Sequence, residues 1–133
     1  MRLLHRHAAG EGVLASEVEV ADSTLTRARG LMFRRSVPGD YALAFPFDGA
    51  DDRWLHMLFV PFDIDAVWTV EGEVRRVERL RAWTGVARAE ADAIFELPAG
   101  TAADVTAGDR VELVGGDGER GGSKVPGGRS GRS

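Results

Sequence analysis

The sequence predicts a mainly β fold with one short helix, an α+β arrangement built as a small antiparallel β-sandwich or partly open barrel. Three observations predict it. Short apolar runs recur along residues 41–114, separated by turns that carry glycine or proline. One stretch alone, residues 24–33, spaces its apolar residues as a helix does. The helices that a parallel sheet needs between its strands are missing.

Leu3 and Leu4 lie on one side of Ala9-Gly10-Glu11-Gly12, and Val13, Leu14, Val18 and Val20 on the other. Glycines there supply the backbone angles of a tight turn, so this reads as an opening hairpin. Glu17, Val18, Glu19 and Val20 alternate charged and apolar, the period of a strand with one wet face. At Asp22 or Ser23 a helix cap becomes available, and Leu25, Ala28, Leu31 and Met32 follow at spacings of three and four. The helix is expected over residues 24–33, with Arg34 and Arg35 where positive charge favours a helix C-terminus, before Pro38-Gly39 closes the segment.

Strands are then expected at residues 41–45, 53–60, 64–70, 73–81, 91–97 and 110–114. The breaks fall at Asp48-Gly49, Pro61, Glu71-Gly72, Thr84-Gly85, Pro98-Ala99-Gly100 and Gly108-Asp109. Residues 1–114 form one domain by this reading. Residues 115–133 contain eight glycines and one sizeable apolar residue, Val125, and are expected to stay disordered.

Composition excludes several classes of function. With no cysteine in the 133 residues, disulfides, thiolate metal sites and cysteine nucleophiles are ruled out. Net charge is -4, divided as -6 on the body and +2 on the tail, and an acidic body is a poor partner for phosphate backbones. No nucleic-acid role is expected. Residues 1–10 lack the apolar run of a signal peptide, and no stretch approaches the length of a membrane helix, so a cytoplasmic protein without membrane contact is expected. Lys124 is the one lysine beside sixteen arginines, a bias compatible with a GC-rich or salt-loving source.

Four segments in order carry a family resemblance: Arg29-Gly30-Leu31-Met32-Phe33-Arg34, the strand at 41–47, residues 54–63 with Pro61-Phe62-Asp63, and Glu96-Leu97-Pro98-Ala99-Gly100 followed by Gly108-Asp109 and Val111. Residues 13–113 thereby resemble the domain-of-unknown-function 192 family, also called uncharacterised protein family 0127. The resemblance implies a compact, mainly β domain with one short helix and implies no activity. Many relatives read Trp-Met-Lys-Asn-Thr where this chain has Trp54-Leu55-His56-Met57-Leu58, so of the polar positions only His56 keeps a polar side chain.

No complete catalytic constellation is present. Asp63 and Asp65 are two apart at a strand start, a permissive geometry for a carboxylate pair, but a carboxylate after a proline turn more often accepts backbone amides. His5, His7 and His56 lack metal-ligand spacing, and the acidic loop of Asp48, Asp51 and Asp52 lacks the ligand alternation of a calcium loop, so neither a metal nor a cofactor is expected. Trp54, Trp68 and Trp83 read as core or as an aromatic platform. Arg29 and Arg34 read as anchors of the helix or as the lining of an anion pocket.

The expected function is that of a monomeric, non-catalytic module that binds a small molecule or a protein near Arg29, Arg34, Trp54, His56 and Asp63. The alternative is a hydrolase-type enzyme with His56 or Asp63 as general base.

Overall fold

The computed structural model describes residues 1–21, 31, 34 and 36–115 of the chain. Eight strands form one sheet: β1 (Arg2–His7), β2 (Gly10–Ala15), β3 (Glu17–Val20), β4 (Tyr41–His56), β5 (Ile64–Val70), β6 (Glu73–Leu80), β7 (Val86–Pro98) and β8 (Arg110–Val114). Their spatial order is β2-β1-β8-β6-β5-β7-β4-β3. Among the described residues there is no helix. The helix expected over 24–33 lies outside them apart from Leu31, as does the glycine-rich tail from residue 116 onward.

Among the described strands, every pairing is antiparallel except one. β3 runs parallel to β4, with Glu19 opposite Leu43, which corrects the all-antiparallel expectation. The chain reaches this pairing by a crossover from Val20 to Tyr41, too long a connection for a hairpin.

The β1–β2 hairpin forms as expected, with its turn at Ala8-Ala9 and His7 opposite Gly10, whose φ of 149° lies in the region open to glycine. β5 is rich in β-branched and aromatic residues, is flanked by β6 and β7, and is buried almost throughout. The sheet therefore carries apolar clusters on both faces. One gathers Tyr41, Leu43, Met57, Ile64, Trp68 and Ile94 with Leu31, and the other Leu3, Val67, Val74, Phe95, Leu97 and Val111.

Two expected strand boundaries fall elsewhere. Asp48-Gly49 was read as a turn between strands, but β4 continues through it, and its pairing with β7 jumps from Pro46↔Ala93 to Asp51↔Ala91. Four residues of β4 thus stand against one of β7, and the three extra make a bulge. The Arg53 guanidinium braces it, donating to the carbonyl oxygens of Gly49 (2.8 Å) and Ala91 (3.2 Å) and lying 4.0 Å over the Phe47 ring. β7 begins at Val86, ahead of the expected 91, and its first half pairs with the second half of β4.

Leu55, Ala87 and Ala91 from that ribbon join Trp68 and Ile94 in one cluster. The Trp68 indole N–H donates to the Arg53 carbonyl at 3.0 Å. The outer half of β4 and β7 is therefore folded back over the sheet, and its opposite face points to solvent.

Candidate functional site

The solvent face of this ribbon carries Trp54 and His56 on β4, opposite Arg88 and Val86 on β7. Alternation places them there: Leu55 and Ala87 turn inward, so their neighbours must turn outward. Trp54 is 61 % exposed and Val86 57 %. The Arg88 guanidinium lies 5.1 Å over the Trp54 ring and donates to Asp52 at 3.1 Å.

Two loops meet at the end of the ribbon. The Met57 amide donates to the Gly85 carbonyl (2.9 Å) and the Trp83 amide to the Val60 carbonyl (3.0 Å). His56 Nδ1 accepts the Leu58 amide at 3.2 Å, and Asp63 Oδ1 accepts the Ala82 amide at 2.8 Å. Met57 and Val60 point into the core, leaving Leu58 and Phe59 outward. Leu58 (53 %), Phe59 (42 %) and Trp83 (55 %) thus add to the exposed apolar surface of the same end.

Phe59 and Trp83 have φ of 62° and 69°. Bulky side chains are disfavoured in this left-handed region, and each such residue costs roughly 1–2 kcal/mol. Tight bonding of the two loops holds both aromatics in these conformations.

Of the residues singled out in the sequence, the structure brings Trp54, His56 and Asp63 to this end of the molecule. Arg29 lies outside the described residues. Arg34 belongs to a second cluster: it donates to Glu19 Oε1 at 2.8 Å, lies 5.3 Å over the Tyr41 ring, and shares that carboxylate with the Tyr41 hydroxyl, which donates at 2.8 Å. Burial, followed by the bond to Glu19, raises the Tyr41 hydroxyl above its ordinary pKa.

Next to this cluster lies Glu96, which the sequence reading treated only as part of Glu-Leu-Pro-Ala-Gly. It stands opposite Leu43 on one side and Ala66 on the other, is 5 % exposed, and its Oε1 has no hydrogen-bond partner among the described residues. Burial pushes its carboxyl up to about 8, against the opposing pull of Arg34. Its signal in the sequence was a glutamate inside the apolar run Ala93-Ile94-Phe95-Glu96-Leu97. Phe59 and Arg88 have no such signal, whereas Trp83 was open to either reading, as core or as part of an aromatic platform.

Asp65 is separated from Asp63 in role as well as direction. It is 4 % exposed and pairs with Arg79, and its Oδ2 accepts the amides of Gly100 and Ala102, so the two carboxylates make no catalytic pair. Of the three tryptophans, Trp68 is core and Trp54 and Trp83 are surface. His5 is buried and bonded to Asp109 at 2.7 Å, with the His7 ring 4.6 Å away. Among the described residues no group of three or more histidines and carboxylates is arranged to hold a metal ion.

The family model DUF192, described as "Uncharacterized ACR", matches residues 5–113. The chain belongs to the DUF192 family. Two solved structures share the fold seen here. One is a protein of unknown function from Novosphingobium aromaticivorans, 21 % identical, with a TM-score of 0.74, covering 85 % of this chain and 84 % of that one. The other, from Sinorhizobium meliloti, carries a provisional designation as a transcription regulator; it is 24 % identical, with a TM-score of 0.71 over 84 % of this chain and 91 % of that one. At these identities the likeness establishes the fold. Comparison with curated proteins gives no match. No helix among the described residues is long and apolar enough to cross a membrane.

Proposed function

We propose that this DUF192 domain is a non-catalytic binding module that docks a protein partner on the surface formed by Trp54, His56, Leu58, Phe59, Trp83 and Val86. One observation carries the reading: five apolar side chains, each more than 40 % exposed, gather at one end of the sheet on a strand pair and the two loops bonded to it. Apolar surface concentrated in this way marks interaction sites, and Trp, Phe and Arg are enriched where protein partners meet. A patch spread over three segments is broader than a small ligand needs. Strain retained at Phe59 and Trp83 fits a surface kept for recognition.

The hydrolytic alternative would employ His56 or Asp63, both of which already accept turn amides. With Nδ1 so engaged and Nε2 carrying the ring proton, His56 would have to surrender its loop contact to take a proton, and Asp63 has one oxygen committed to the turn.

The test is photo-cross-linking in living cells from a reactive residue placed at position 54 or 83, with position 75 on the outer sheet as control. A discrete adduct with another protein, formed at 54 and 83 and lost when Leu58 is changed to Asp, supports the module. Equal yields from all three positions overturn it. An adduct twice the mass of the chain, matched by concentration-dependent mass in solution, would mean self-association instead. Melting temperatures raised by small molecules and not by a partner would move the reading to a ligand site.

A further inference from the structure

Glu19, Leu43, Glu96, Ala66 and Glu78 form one continuous row across β3, β4, β7, β5 and β6. Residues paired across strands point to the same face, so Glu19 and Glu96 flank Leu43 on one side of the sheet, two strand spacings or roughly 10 Å apart. Their surroundings differ. Glu19 is at the rim, where Arg34 and the Tyr41 hydroxyl both donate to it, and its side chain is 46 % exposed. Glu96 is enclosed by apolar neighbours and leaves Oε1 without a partner among the described residues.

We propose that Arg34 is a proton-controlled link between these two carboxylates: it holds Glu19 while Glu96 is protonated, and moves toward Glu96 when that carboxyl ionises. A buried carboxylate without a counter-charge is costly, and a neutral carboxyl is not. Losing its proton therefore creates a demand for a cation that the apolar neighbours cannot meet. Among the described residues, Arg34 is the cation whose charge acts on Glu96. Its reach is reduced by Glu19 and by the Tyr41 ring, so exchange must break those contacts.

Among the described residues, Glu17 faces the same side from β3, opposite Tyr41. Glu78, two strands from Glu96, accepts from Arg76 at 3.0 Å, and Tyr41 stays protonated across the ordinary pH range. Asp65 belongs to the opposite face, where its partner row holds Leu97. Ile64, Ala66 and Trp68 on β5, and Ile94 on β7, bring no charge.

The consequence is conformational. Releasing Glu19 and Tyr41 uncouples Arg34 from the β3–β4 edge. A change in local proton activity at neutral to mildly alkaline pH is converted into a change in how that edge is held.

The experiment is a carbon-13 NMR titration of the glutamate carboxyls in the full chain, from about pH 5 to 10, on wild type, Glu96→Gln, Glu19→Gln and Arg34→Gln. Glu96 is expected to titrate near 8 in wild type, and the titration disappears in Glu96→Gln. Exchange predicts opposite shifts. Glu19→Gln frees Arg34 and lowers the Glu96 midpoint, whereas Arg34→Gln removes the acceptor's only described cation and raises it, each by about one unit, tenfold in the ionisation constant. The contact between Arg34 and the Tyr41 ring, followed by nuclear Overhauser effects, should fade over the same interval. A midpoint unmoved by Glu19→Gln, or an Arg34–Tyr41 contact that persists above the midpoint, overturns the proposal. Glu19 is at the surface, so its variant should fold even where Arg34→Gln does not.

Discussion

The Oδ2 atom of Asp65 accepts the backbone N–H of Ala102 at 2.9 Å, tying the middle of the sheet to the turn that follows β7. Gly100 donates to the same oxygen at 3.0 Å, and Arg79 caps the other. Removing the carboxylate would strand two amides. Asp65→Ala is expected to lose roughly 2–4 kcal/mol of stability, and Asp65→Asn less, because an amide oxygen still accepts one bond. Urea unfolding followed by tryptophan fluorescence measures both. A loss below about 1 kcal/mol for Asp65→Ala would refute the anchor role.

Trp83 is more than half exposed and held at φ 69°. Asparagine tolerates that region better, so Trp83→Asn should raise stability by about 1 kcal/mol and raise the melting temperature. It should also abolish cross-linking to the partner. Gain of stability with loss of binding is the signature expected of a residue retained for recognition.

Gly85 sits where the two loops meet, and a Cβ there would come within 2.7 Å of the Arg81 amide nitrogen and 3.0 Å of the Leu80 Cβ. Backbone atoms cannot yield cheaply. Gly85→Ala should therefore cost about 1–3 kcal/mol and weaken the Met57 amide bond, visible as faster hydrogen exchange at that amide.

His5 and the Thr106 amide both bond Asp109 and hold its carboxyl below the usual aspartate range. Because the folded-state value is depressed, the stability it contributes is present above the unfolded aspartate pKa and is lost as pH falls through the folded one. Asp109→Asn should flatten the acid limb of the melting profile. An unchanged acid limb would show that the pairing is not coupled to folding.

Glu96 has the opposite sign. Its folded-state value is raised to about 8, so its contribution is full below the ordinary glutamate range and is lost progressively as pH rises toward that value. Glu96→Gln should melt higher than wild type above the folded value, with the advantage shrinking as pH is lowered through neutrality. Parallel melting curves at every pH would contradict this.

Much of the sheet was legible because its signals were local. β5 and β8 begin and end where the sequence placed them, since apolar β-branched runs are bounded by an aspartate, a Glu-Gly turn or a Gly-Asp turn. β7 was read too short, because Val86-Ala87-Arg88-Ala89-Glu90 alternates through alanine, a weak strand former. Asp48-Gly49 has turn chemistry and serves it inside a bulge, a distinction that depends on the partner strand. Neither the parallel β3–β4 pair nor the fold-back of the ribbon has a local signature. The candidate site followed the same division: Trp54 was visible as a match to a familiar pattern and His56 as a departure from it, whereas the joining of the loops that carry Phe59 and Trp83 depends on hydrogen bonds between distant segments.

The hairpin β1–β2 has one hydrogen-bonded neighbour among the described strands, β8, with Arg2 facing Val114. Because synthesis runs from N- to C-terminus, β1 and β2 must wait for β8 before they can join the sheet. β3 to β7 can assemble meanwhile, leaving Leu3 and its partners on the second apolar face uncovered until residues 110–114 emerge. A nascent chain halted before β8 should therefore be held by chaperones and cut readily by proteases, and release of those five residues should end both.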